Sequence, residues 1–222
     1  MIKRKNIIKI AIDSPAAAGA GTQAKLISKH YNLLQLDTGR IYRYIAYIKI
    51  TKPEKFNYKY LGKKINNLKI SSLDNKKLLS DEVATVASLV AKDKKIRKLV
   101  YFFQLKCAYN PPKKYAGSCL DGRDICSVIL PDADVKLFIT ANLKTRAFRR
   151  YKELKTKNKN ISYQEVLKSI KKRDKNDINR KISPLKKTRD SFLLNTSNLS
   201  IKRCFLKIKK IIDRKIIING NL

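Results

Sequence analysis

Histidine and tryptophan are nearly missing from the chain: there is one histidine, His30, and no tryptophan. The four cysteines, Cys107, Cys119, Cys126 and Cys204, contain no C-x-x-C pair. No zinc site is expected on this ligand spacing, and no disulfide framework is implied; Cys119 is expected to pack inside a strand. No run reaches the roughly 18 apolar residues of a membrane helix, so no membrane partner is expected. The opening MIKRKNIIKIAID is basic and then apolar, as a signal peptide is. Its apolar part is short, however, leads into Asp13 and is needed as a first strand, and a cytoplasmic protein is expected. Acidic residues are scarce, 17 against 52 lysines and arginines, giving a net charge of +35. Such an excess suits nucleic acid or another polyanion. Yet the lysines run the whole length rather than forming a tail or stripe, and isoleucine and asparagine are plentiful beside them. A compositional bias accounts for the charge, and no specific nucleic-acid partner is expected. With 222 residues, 43% of them hydrophobic, the chain can build one core with small appended lobes.

What is present centres on residues 10–26, IAIDSPAAAGAGTQAKL. A buried-strand run breaks into small residues and reopens as a helix, which is how a phosphate-binding loop is spelled. Gly19, Gly21 and the alanines let the backbone turn several N–H groups inward, and the helix start adds partial positive charge. Thr22 falls where such a loop needs a hydroxyl for Mg²⁺. The pattern G-x-x-x-x-G-K-[ST] is nevertheless broken, because Ser14 and Ala20 stand where it has glycine and lysine.

Along the chain, short strands are expected at 7–12, within YNLLQLD ending at Asp37, at 118–124, at 134–140 and at 191–196. The intervening patterns are helical: 22–30, with Gln23, Lys25 and Lys29 outward and Leu26 and Ile27 inward; 36–50; a pair at 81–109, with Asp81 as a cap; 142–160; 161–180; and 200–214, with Ile201, Phe205, Ile208 and Ile212 on one face. Segment 51–80 reads as a polar excursion outside the main core, with weak extended runs at 67–70 and 77–79. Strands alternating with helices predict an α/β fold with a five-stranded parallel sheet. Ligands bind such sheets beyond the carboxyl ends of the strands, so residues 14–22, 37–43 and 121–124 should converge on one crevice.

The order of LDTGRIYR (36–43), LLSDEVATVAS (78–88), KKIR (94–97), LDGRD with PDADVK (120–136), TRAFRRYKEL (145–154) and RDKNDINRKISPL (173–185) resembles the bacterial cytidylate kinases over nearly the whole chain. The resemblance implies a P-loop NTPase-type three-layer fold in a single domain. Its core would be about 1–50, 81–145 and 185–222, with a small substrate-binding insert at about 51–80 and a helical lid arm at about 146–180. It implies transfer of phosphate from ATP, with Mg²⁺, to CMP and dCMP, by a monomer.

Arg43, Arg97, Arg123 and Arg180 match arginines around the monophosphate, where a guanidinium fork pairs two phosphate oxygens. Thr38, Ser88, Arg97 and Asp124 match base-reading positions; Tyr42 joins the substrate set. Arg173 and Asp177 match a pair near the sugar and phosphates, and at i and i+4 they could equally be a plain helix pair. In the arm, Arg146 and Arg150 share a face and would straddle the triphosphate, whereas Arg149 reads equally as solvated. The donor phosphates would lie on Ser14, Pro15, Ala16, Ala17, Ala18, Gly19, Ala20, Gly21 and Thr22, with Arg146. Arg123, Arg150, Arg173 and Arg180 would clamp the moving phosphoryl group, and Asp121 would reach the metal held by Thr22 through water. The chain departs from the family at the loop lysine, where Arg150 is the expected substitute cation, and in an arginine replaced by Asn176. Ala20 leaves two other readings open: a CMP-binding pseudo-kinase, or a basic RNA-associated protein on a kinase fold. The latter lacks aromatics interleaved with its basic runs.

Overall fold

Five short apolar runs pair side by side as β1 (Ile8–Asp13), β2 (Leu33–Asp37), β3 (Gly117–Gly122), β4 (Val135–Thr140) and β5 (Phe192–Asn195) in a computed structural model that describes residues 7–156 and 160–218. All four pairings are parallel, and the order across the sheet is β2-β3-β1-β4-β5. Parallel sheets are covered on both faces, and alternate residues sort accordingly. Ile10, Ile12 and Cys119 pack under α1 (Ala20–His30) and α8 (Ile201–Ile218), whereas Ala11, Leu36 and Leu120 pack on the other side. That second layer is α2 (Thr38–Thr51), α3 (Tyr58–Asn66), α4 (Asp81–Val90) and α5 (Lys94–Tyr109). The remaining helices, α6 (Leu143–Lys155) and α7 (Tyr163–Asn179), pair with each other and bury Ala147, Val166 and Ile170 against Ala16.

All five strands and the parallel sheet agree with the pattern in the sequence; several local readings do not. Segment 51–80 is not outside the core: Leu61, Ile65 and Leu73 join the same apolar cluster as Ile41 and Ile45. Its two extended runs are absent, and 3₁₀ turns occupy Ile70–Asp74 and Lys76–Leu79 instead. The cap of α4 is Ser80, whose hydroxyl accepts from Val83 N–H, rather than Asp81. Gln23 is buried and donates to the Ile201 carbonyl at 3.2 Å, and Ile201 itself is 61% exposed. Cys204 and Ile216, with Ile208 and Ile212, complete the buried stripe of α8. The end of the helical pattern expected at 142–160 falls partly on residues 157–159, and the basic opening on 1–6, both outside the described residues.

One buried carboxyl fixes the central strand to the site. Asp13, the last residue of β1, accepts N–H donations from Ile125 at 2.7 Å and Cys126 at 2.9 Å. These groups open the π-helical turn Ile125–Ile129, so Asp13 sets the position of Arg123 and Asp124 just before it. Burial raises its carboxyl to about 6 from 3.8, more than the two N–H bonds lower it. Between those values the folded protein holds a proton that the unfolded chain has released, so stability falls as pH rises from about 4 to about 6. Asp13→Asn keeps an acceptor oxygen and removes the titration. Urea unfolding of this variant should lose a pH slope of at most about 1.4 kcal/mol per pH unit across that window.

Candidate active site

The loop from β1 to α1 makes two left-handed steps, at Ala17 (φ 59°) and Gly19 (φ 89°), which turn its backbone round an enclosed space. Gly19 is the N-cap of α1, and no side chain caps the helix. Its first N–H groups therefore stand without intrahelical partners at the positive end of the helix dipole, which is an anion site by construction. All of residues 14–22 line a cavity of about 1410 Å³. Ala20 contributes no charge: it is buried among Ala24, Ile27 and Cys204.

The cavity has an acidic corner. Asp37 and Asp121 are register partners at the ends of β2 and β3. Burial, and next the neighbouring Asp37 carboxylate, raise the Asp121 carboxyl well above its ordinary value. Its Oδ1 is buried with no hydrogen-bond partner among the described residues, and its Oδ2 lies 3.5 Å from where a Cβ on Gly21 would stand. Two carboxylates, an unsatisfied oxygen and the exposed Thr22 beside the same helix start form an oxygen donor set that fits a hard divalent cation. Among the described residues, no group of three His, Cys, Asp or Glu side chains forms a metal cage. A small oxygen-liganded ion that keeps waters is therefore the better match.

Elsewhere in the cavity, guanidinium groups outnumber carboxylates. Arg97 pairs with Asp124, and Arg180 approaches the same carboxylate at 3.6 Å. Arg123 donates from Nε to Asp177 at 2.8 Å. Arg173 makes no hydrogen bond or ion pair among the described residues. Burial and the nearby Arg123 and Arg43 guanidiniums push it down to about 10, still charged at neutral pH. Four arginines thus share Asp124 and Asp177, leaving positive charge that an anion would neutralise. Arg43 is anchored by donation to the Leu78 carbonyl at 2.8 Å. Tyr42 lies under the Arg97 guanidinium, 5.7 Å from ring centre, and burial raises its phenol to about 12, so it stays a neutral hydroxyl. Thr38 donates to the Asp121 carbonyl at 2.8 Å and Ser88 to the Thr85 carbonyl at 2.8 Å, both at the cavity wall. Any side chain on Gly122 would displace Thr38, because its Cβ would stand 2.5 Å from the hydroxyl.

Every residue expected at the site lines this cavity except Arg146. That arginine is buried, ion-paired with Asp174 at 2.6 Å, and donates to the carbonyls of Ala16 at 2.9 Å and Ala141 at 2.8 Å. Asp174 accepts in turn from Ala16 N–H at 3.2 Å. The pair holds the loop peptide from behind and engages Nε and Nη1 of Arg146 with Ala141, Ala16 and Asp174 rather than with the cavity. Arg150 pairs with Glu153 at 2.9 Å on the Arg173 side of the cavity. Sequence reasoning placed Asp37 in the crevice with the rest of 37–43 but gave it no role, named Arg149 in the arm as equally a solvated residue, and did not single out Thr196. Asp37 had a signal, since aspartates stand at the end of β2 and one residue before the end of β3; Thr196 had none.

A 2-3-1-4-5 parallel sheet with a phosphate-cradling loop after its central strand, and arginines in the same crevice, defines a P-loop-type fold built to hold phosphorylated ligands. The chain belongs to the cytidylate kinase family, whose model, described as "Cytidylate kinase", matches residues 10–214. It is 42% identical over 209 residues to a cytidylate kinase of Bartonella tribocorum, covering 92% of this chain and 94% of the relative. A cytidylate kinase of Clostridium tetani is 39% identical over 223 residues, with 95% and 96% covered. A crystal structure of an uncharacterized protein from Eubacterium ventriosum shares the fold at a TM-score of 0.55 and 19% identity, over 93% of this chain and 98% of that one.

Breaking the buried pair behind the loop should be costly. Asp174→Ala strands the Arg146 charge and the Ala16 N–H, and should lower stability to urea by about 3–5 kcal/mol. Replacing both partners with apolar residues (Arg146→Met with Asp174→Leu) should recover part of that loss. A double variant no more stable than the single one would contradict this account of the pair.

Proposed function

We propose that the protein catalyses ATP-dependent phosphorylation of CMP and dCMP, as a cytoplasmic monomer using Mg²⁺. The observation that carries the reading is the surplus of fixed guanidinium charge around Asp124 and Asp177 in the same cavity as the phosphate loop. A nucleotide monophosphate is a dianion with a base to be read, and both demands are met there. Arg43, Arg123, Arg173 and Arg180 bind the acceptor phosphate through charge-assisted hydrogen bonds. Asp124 accepts from the exocyclic amine of cytosine while Arg97 serves its acceptor atoms, with Thr38, Ser88 and Tyr42 shaping the base pocket. Asp177 orients Arg123 and stands near the sugar.

Residues 14–22 hold the donor phosphates on backbone N–H groups. Thr22, Asp37 and Asp121 would hold the magnesium, which would supply positive charge against the donor phosphates. A CMP phosphate oxygen forms the new bond to the γ-phosphorus, the bond to the β–γ bridging oxygen breaks, and ADP leaves. No covalent help from the protein is needed, because positioning and positive charge lower the barrier. On the same reading α6 and α7 form the lid arm, about 146–180, and the substrate-side insert, about 51–80, is one that packs into the core cluster rather than apart from it.

Coupled detection of ADP release should show transfer to CMP and dCMP faster than to UMP or AMP. Asp124→Ala should reduce kcat/KM for CMP by about 10²-fold, the scale of a lost charged contact in a buried site. Absence of transfer to any of the four acceptors, from protein that unfolds cooperatively, would refute the assignment. Ala20→Lys should raise turnover with CMP.

A further inference from the structure

The loop of this chain carries no cation: the side chain at position 20 ends at a methyl group packed in the apolar cluster of α1 and α8. Charge moves to the leaving oxygens during transfer, so a fixed donor at that place matters more than one elsewhere. The basic residues near the loop differ in what holds them. Arg146 is neutralised by Asp174 behind the loop, and Arg150 is paired with Glu153 towards Arg173. Lys25 is exposed on α1, while Lys168 and Lys172 are exposed at the cavity rim. Exposed ammonium groups on flexible stems are not preorganised.

Arg149 differs from all of these. Its Nη1 donates to the Thr196 hydroxyl at 2.9 Å and its Nη2 to the Thr196 carbonyl at 2.6 Å. The Thr196 hydroxyl in turn donates to the Ala18 carbonyl at 3.1 Å, so the guanidinium is fastened to the loop itself. Nη1 stands 4.0 Å from where a Cβ on Gly19 would be, at the N-cap of α1. Among the described residues it has no carboxylate at ion-pair distance, and it lines the cavity. Its field reaches Cys204, the thiol packed in the same cluster as Ala20. We infer that Arg149, locked to the loop by Thr196, supplies at the donor phosphates the positive charge that Ala20 does not.

This inference rests on the kinase reading, and it makes a claim about coupling. If Arg149 does the work of the missing lysine, its importance depends on what stands at position 20. A merely structural arginine, or one that only closes over any donor, would matter equally in both backgrounds. The test compares the natural protein, Arg149→Ala, Ala20→Lys and the double variant, each first shown by urea unfolding to be folded. In the natural background, Arg149→Ala should lower kcat/KM for ATP by about 10²–10³-fold, the scale of one transition-state donor. In the Ala20→Lys background the loss should shrink to about tenfold or less, while CMP affinity stays unchanged in both. Arg149→Lys should restore part of the rate, and Thr196→Val, which removes the anchoring hydroxyl, should lower it in the same direction as Arg149→Ala.

Equal losses in the two backgrounds, or no loss in the natural one, would overturn the inference. Should the natural protein transfer no phosphate at all, the kinase reading fails by itself. ATP binding measured by calorimetry then decides the inference: weaker binding in Arg149→Ala than in the natural protein, with no such difference in the Ala20→Lys background, supports it. Identical affinities overturn it.

Discussion

The ion pair between Arg146 and Asp174 ties the paired helices α6 and α7 to the loop that follows β1. One partner comes from α6 and the other from α7, and between them they take both the carbonyl and the N–H of Ala16. A loop of small residues has little side-chain packing of its own to hold it in shape. Here its peptide is gripped by a largely buried charge pair whose further hydrogen bonds to the loop offset part of the cost of taking two charges out of water. The small cluster of Ala16, Ala147, Val166 and Ile170 packs the same two helices against the loop. The shape of the cavity thus depends on an interaction that never faces the ligand.

Around that grip the electrostatics divide by location. Carboxylates gather at the ends of β2 and β3 beside the start of α1, and guanidiniums gather around Asp124 and Asp177. Both arrangements are unsatisfied as they stand. Among the described residues, Asp121 keeps an oxygen without a hydrogen-bond partner and a raised affinity for protons, and Arg173 is held charged with no hydrogen bond or ion pair. Each calls for a ligand of the opposite sign, a cation in one place and an anion in the other.

Much of this was legible in the residues, and what was not has physical reasons. Strands bounded by turn residues could be read because alternate side chains go to opposite covered faces, as Ile10 and Ala11 do. Segment 51–80 was misread because lysines mask its apolar content: Leu61 and Ile65 are four apart on one face of α3, and those two side chains decide its burial. Among the arm arginines, spacing tells which share a face but not which way that face turns. Arg146 points inward because Asp174, on a separate helix, is there to meet it, and Arg149 is turned to the loop by Thr196, beyond β5. Partners distant in sequence carry that information, as they do for Gln23 and the carbonyl of Ile201.

The alanine-rich spelling of the loop also bears on the unfolded chain. Where the backbone conformation allows a Cβ, alanine in place of glycine narrows the unfolded ensemble and favours folding by about 0.4–1 kcal/mol per position. Ala16 and Ala18 can act in this way, whereas Ala17, at φ 59°, works against it through left-handed strain of about 1–2 kcal/mol. The net effect is a loop that has fewer conformations to lose than a glycine-rich one before any phosphate arrives. Stiffness of the backbone and absence of a loop lysine are therefore features of one and the same stretch of small side chains.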